Sequence, residues 1–187
     1  MMGRTRLLAA TSGVDRFRQA TRLLHRNGSA MEALLQSYLP IVVFIGVALV
    51  AVAFLVVATI LSIVLTWAPQ LHNVARNPLE DMLTNRTDAA IFAVVVMLAG
   101  GVREEVQRGF IVHRFGQYLG GGLYGVLFYS VFFGLGHYEQ GYDAAIATAV
   151  LGFIWGLTYL VRGSIVAPVV SHAGFNLAQV LKHVALR

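Results

Sequence analysis

From Ile41 to Thr66 the chain carries no charge, and only Thr and Ser interrupt the apolar residues. As an α-helix rising 1.5 Å per residue this stretch reaches about 39 Å, more than the roughly 30 Å of a bilayer's hydrocarbon core. It is therefore read as a first spanning helix. Trp67 sits where an interfacial aromatic belongs, and Pro69 stops the run. A chain organised around such a segment has few options other than a helical membrane protein.

The rest of the sequence agrees. Of 187 residues 57% are hydrophobic, and the mean hydropathy is +0.70, well above the balance of a soluble domain. Further apolar stretches begin at Ala89 and cover 119–136, 144–161 and 165–181. The breaks between the later ones are Gly116-Gln117-Tyr118, His137 to Asp143, and Arg162-Gly163-Ser164. The expected architecture is all-α: a polytopic membrane helix bundle of about five transmembrane segments. It divides into a basic amino-terminal segment (1–40), a first transmembrane helix with its external loop (41–87) and a core (88–183). Within the loop, Asn77-Pro78-Leu79-Glu80 has the order of an N-cap, a first-turn proline and a first-turn acid, and predicts a short surface helix. Thr87 or Asp88 is expected to cap the second span.

The net charge of +5 is carried almost wholly by arginine, Lys182 being the single lysine. Arg4, Arg6, Arg16, Arg18, Arg22 and Arg26 crowd the amino terminus, which points to lipid headgroups as partners and not to nucleic acid. Val14, Phe17, Thr21 and Leu24 recur at helical spacing, as in a basic amphipathic helix on an anionic leaflet; a solvated basic tail fits equally well. Asn27-Gly28 is expected to stop this segment, and Ser29 with Glu32 to begin the next helix as a capping box. Leu7-Leu8-Ala9-Ala10 is too short for a signal-peptide core, so no cleavage is expected there. The positive-inside rule keeps the amino terminus cytoplasmic, with loop 68–87 outside. The expected location is a bacterial cell membrane, which the chain crosses several times. The absence of cysteine excludes disulfides and thiolate metal sites.

Against this background residues 100–115 stand out, because Arg103, Glu104, Glu105, Gln107 and Arg108 follow directly on an apolar run. An ionisable group in a spanning segment costs about 2.5–3.5 kcal/mol on insertion scales, so such groups are functional or paired by default. Glu104 and Arg108, four apart, are expected to pair on one helix face. If 89–115 is one continuous helix, Glu104 lies about 16 Å from its cytoplasmic end and His172 about 10 Å into the last segment. His137 closes its own helix. Neighbouring helical side chains diverge by about 100°, so Glu104 and Glu105 are not expected to face the same pocket.

Glu104-(x)3-Arg108, Phe133-Gly-Leu-Gly-His137 and His172-Ala-Gly-Phe-Asn176 occur in order, with Gly152-Phe-Ile-Trp-Gly156 before the last. Together, over roughly residues 88–180, they resemble the CPBP (Abi) family of intramembrane proteases, which includes the CAAX prenyl endopeptidases. The resemblance implies an endopeptidase acting on a membrane protein or peptide substrate. A glutamate, Glu104 with Glu105 close behind, and His137 would activate water. His172 and Asn176 would stabilise the oxyanion, and Arg108 would support the acid. That division suits general-base catalysis with fixed donors at the carbonyl oxygen. The family's first motif usually has two glutamates, three residues, then arginine. Here a gapless match to Arg108 puts Arg103 at the first-glutamate position, so either the helical register shifts or hydrolysis has been lost.

Blander readings accompany each residue. Glu104 with Arg108 is also what a buried packing ion pair looks like, and His137, His113 and His183 lie near helix ends where interfacial histidines need no role. Glu139 and Asp143 read as solvated loop acids, and Gly152, Gly156 and Gly120-Gly121-Gly122 as sites of close helix approach. No cofactor is expected. Zinc on two histidines and a glutamate is the alternative, opposed by the adjacent arginines and by spacing unlike His-Glu-x-x-His. Two other functions fit the same residues: an inactive family member serving as membrane scaffold, immunity or partner protein, and an ion or proton carrier.

Overall fold

A computed structural model describes residues 13–186, and within 13–37 the side chains of Glu32 and Gln36 only. Among the described residues there are six α-helices and no strand, so the all-α expectation holds. The helices are α1 (Gly13–Trp67), α2 (Arg86–Val95), α3 (Glu104–Tyr118), α4 (Gly122–Leu135), α5 (Tyr142–Arg162) and α6 (Val166–Ala185). A π-helical segment, Val96–Arg103, joins α2 to α3 without a break, giving five helical rods. Tyr38–Trp67 and Tyr142–Arg162 are long and apolar enough to cross a membrane, while α4 is apolar but shorter.

The chain divides into two compact units, Met1–Ile41 and Val42–Arg187. In the first, α1 runs from Gly13 straight through Asn27-Gly28, contrary to the expected stop there. An interior glycine costs about 1 kcal/mol relative to alanine but keeps its N–H, so it weakens a helix without ending it. Ser29 and Glu32 accordingly lie inside the helix and do not begin one. Leu7-Leu8-Ala9-Ala10 and the faces of Val14, Phe17, Thr21 and Leu24 lie outside the described residues.

In the second unit the packing centres on Ala53, Phe133, Leu151, Trp155 and Phe175, drawn from α1, α4, α5 and α6. Between helices in lipid such residues stabilise by close van der Waals packing, not by removal from water. Small residues set the helix distances. A Cβ on Gly134 would stand 2.6 Å from the carbonyl oxygen of Ala145, and one on Gly156 2.7 Å from Val126, so α4 and α5 approach through glycine, as expected for Gly156. In the 120–122 run only Gly122 serves that purpose, against Leu160. Gly120 and Gly121 instead take φ of +87° and +127° in the turn between α3 and α4, where a Cβ would be strained.

Loop 68–85 is pinned to the start of α5. Asn77 caps the short helix Pro78–Met82 by accepting from the Leu79 amide, as its sequence predicts. The next helix begins at Arg86, capped by Asn85 accepting from the Asp88 amide, so the cap lies two or three residues before the expected Thr87 or Asp88. Asp143 is not a solvated loop acid: it is buried and takes a hydrogen bond from His72 Nδ1 at 2.8 Å. Asn73 accepts from the Tyr142 amide at 2.9 Å, and Asn77 donates to Gln140 at 3.2 Å.

Candidate active site

Glu104, His137, His172 and Asn176 line one cavity of about 700 Å³, together with apolar residues such as Leu83, Phe92, Val96, Leu151 and Phe175. Glu104 and Glu105 open α3, His137 follows the end of α4, and His172 and Asn176 stand one turn apart on α6. What brings Glu104 to this wall is the π segment. Its i→i+5 turns rotate the register of everything that follows relative to an uninterrupted α-helix. Arg103 ends up exposed and away from the cavity, Glu104 sits at its wall, and Glu105 is buried behind it.

The π segment fits against α6 because residues 100 and 101 lack side chains. A Cβ on Gly101 would lie 2.5 Å from that of Ala173, and one on Gly100 2.5 Å from Asn176 Nδ2. Asn176 uses this room to donate from Nδ2 to the Val96 carbonyl at 3.2 Å. The amide thereby stitches the π segment to α6 and retains a second N–H.

Around His172 the geometry is tightly specified. Nδ1 lies 2.9 Å from Glu105 Oε1. An ionised carboxylate only accepts, so Nδ1 carries the proton. The other ring nitrogen, Nε2, is 3.8 Å from Glu104 Oε2, a gap that one water at about 2.8 Å from each atom would bridge. Both glutamates therefore reach one imidazole, at opposite nitrogens, although neighbouring helical side chains diverge. They do so because the ring lies between their directions. Glu105 is also the acid that Arg108 binds, through Nη1 and three residues apart; the expected Glu104–Arg108 pair does not form. Arg108 is 1% exposed, and its guanidinium lies 5.0, 4.9 and 5.5 Å from the ring centroids of Tyr129, Phe133 and Trp155. Its Nε and Nη2 have no hydrogen-bond partner among the described residues, and the aromatic faces stand against the charge instead.

His137 is held differently. Its Nδ1 is 2.7 Å from the Phe133 carbonyl oxygen, so that nitrogen donates and Nε2 of the neutral ring is left as an acceptor. In the sequence the aromatic shell leaves one trace, Tyr129 and Phe133 four residues apart on one face of α4 with His137 four further on, just past its end.

Among the described residues no three His, Cys, Asp or Glu side chains form a group that could hold a metal ion, and Glu105 and Nδ1 of both histidines have protein partners.

Fold and site define a helical protein with two carboxylates, two imidazoles and an amide gathered at one largely apolar cavity. Residues 86–178, the segment that holds every residue just described, match the Rce1-like family model, type II CAAX prenyl endopeptidase Rce1-like. The family is one of membrane-associated proteases. No curated protein and no solved structure matches the chain.

Proposed function

We propose that the protein is an intramembrane endopeptidase of the CPBP type that uses Glu104 as general base on water. The reading rests on one observation above the others: Glu104 Oε2 and His172 Nε2 face each other across 3.8 Å at the wall of the cavity, with Glu105 fixed on the far side of the ring. With Arg108 cationic, both glutamates ionised and His172 an imidazolium, the cluster is neutral overall, which suits its burial. In that state Glu104 accepts the proton of a water that also donates to His137 Nε2. The oxygen adds to the scissile carbonyl carbon, and the developing oxyanion takes hydrogen bonds from His172 Nε2–H and the second Asn176 N–H. Collapse of the tetrahedral intermediate breaks the C–N bond, and Glu104 returns its proton to the leaving amine.

Multi-pass insertion belongs to this proposal, with the amino terminus cytoplasmic and the substrate a membrane-anchored protein or peptide entering sideways between helices. The test is purified protein in liposomes on a library of membrane-anchored peptides, with Glu104→Ala, Glu105→Ala, His137→Ala and His172→Ala. Loss of cleavage in these variants is expected. Wild-type cleavage in all four would overturn the reading, and a proton flux lost in the same variants would favour a carrier.

A further inference from the structure

Trp155 stands outside the reacting groups, yet it touches His172 more intimately than any other ring. The indole and the imidazole lie face to face, with centroids 4.1 Å apart and planes 18° from parallel. The indole is itself fixed, because Nε1–H donates to Ser171 Oγ at 2.9 Å and both residues are buried. Phe133 meets the imidazole edge-on, with centroids 5.7 Å apart and planes at 87°. A ring gripped through Nδ1 by Glu105 can still swing about that bond; a stacked face prevents the swing. Ser171 precedes His172 on α6, so the residue that anchors the indole is covalently joined to the one it covers.

We propose that Trp155, clamped by Ser171, is a positioning residue for His172: it fixes the imidazole plane so that Nε2 stays aimed at Glu104 and the cavity. The charged or titratable groups facing His172 are Glu104, Glu105 and Arg108 on α3 and His137 after α4; α5 presents only the indole. The kinetic part rests on the protease reading above, whereas the stack itself does not.

Two measurements keep those apart. The chain has only one other tryptophan, Trp67, which is 82% exposed, so Trp67→Phe leaves Trp155 as the sole indole emitter. Protonated imidazole in contact with indole quenches its emission. In the full-length Trp67→Phe protein, emission is expected to fall as pH is lowered through the titration of His172, and to lose that dependence when His172→Gln is added. Emission that does not vary with pH, or a dependence that survives His172→Gln, overturns the stacked pair. In the cleavage assay, Trp155→Leu is expected to lower kcat about 10- to 100-fold with KM nearly unchanged, the effect of misplacing a reacting group, and to shift the pH profile. Trp155→Phe, which keeps an aromatic face, restores most of the rate, and Ser171→Ala gives an intermediate loss. A Trp155→Leu protein with wild-type kcat and pH profile overturns the positioning role. Quenching as expected in a protein that cleaves nothing would leave the stack standing and remove the protease reading.

Discussion

At the scale of single residues, adjacent glutamates in near-identical sequence surroundings are assigned different work by their partners. Glu104 faces the cavity and, unlike Glu105, binds no arginine among the described residues, so Glu104→Gln is expected to slow cleavage by about 10²- to 10⁴-fold with little change in stability, the range for loss of a general base. Glu105 is 1% exposed between Arg108 and His172. Glu105→Gln leaves a buried guanidinium without its counter-charge and is expected to lower stability by about 3–5 kcal/mol as well as activity. Denaturation in detergent beside the kinetics separates the two. Arg108→Lys is expected to resemble Glu105→Gln in activity, because a lysine cannot reproduce a planar guanidinium packed among three aromatic rings. The sequence carried the members of this cluster, since a charged group amid apolar residues is conspicuous. It did not carry the pairing. Glu104 and Glu105 stand four and three residues before Arg108, both spacings allow contact on a helix, and only the register of the preceding backbone decides between them.

That register is a property of the element. Gly100 and Gly101 share the π segment but meet different things, which yields opposite expectations. Gly101→Ala drives a Cβ against Ala173, including its backbone, and is expected to cost about 1–3 kcal/mol by overpacking, measurable as a lowered midpoint of denaturation. Gly100→Ala meets only the amide of Asn176, which can turn aside; a lower kcat with nearly unchanged stability is expected, because the displaced amide no longer serves the oxyanion. Helix ends were legible where side-chain chemistry fixes them, as at Asn77 before Pro78. They were misread where only propensity spoke, as at Asn27-Gly28, where ten-odd helical residues on either side outweigh one weak position. A π turn leaves no distinct mark in composition, so an apolar run from Ala89 into the motif reads as plain α-helix.

For the whole molecule, the apolar run 41–66 and the overall hydropathy were sufficient to reach an all-α bundle, because they follow from composition. What composition cannot convey is that loop 68–85 returns to α5 through His72 and Asn73 and to Gln140 just before it through Asn77, burying Asp143 and forming part of the cavity wall with Asn77, Leu79, Glu80 and Leu83. Asp143→Ala is expected to destabilise the protein by about 1–3 kcal/mol, the range for leaving one buried hydrogen-bonding group unsatisfied, and to raise KM more than it lowers kcat, since the loop borders the cavity without touching the reacting groups. Chains beginning at Tyr38 are expected to retain kcat, because every residue assigned to the chemistry lies in the unit Val42–Arg187.

The central claim is that Glu104 activates a water at a cavity it shares with His172. Single-turnover cleavage of the best library peptide in proteoliposomes made up in ¹⁸O-water tests it directly, with wild-type and Glu104→Gln proteins compared by mass spectrometry. One labelled oxygen in the new carboxyl terminus is expected, with a rate about 10²- to 10⁴-fold lower for Glu104→Gln. Glu104→Gln protein that cleaves at the wild-type rate would contradict it.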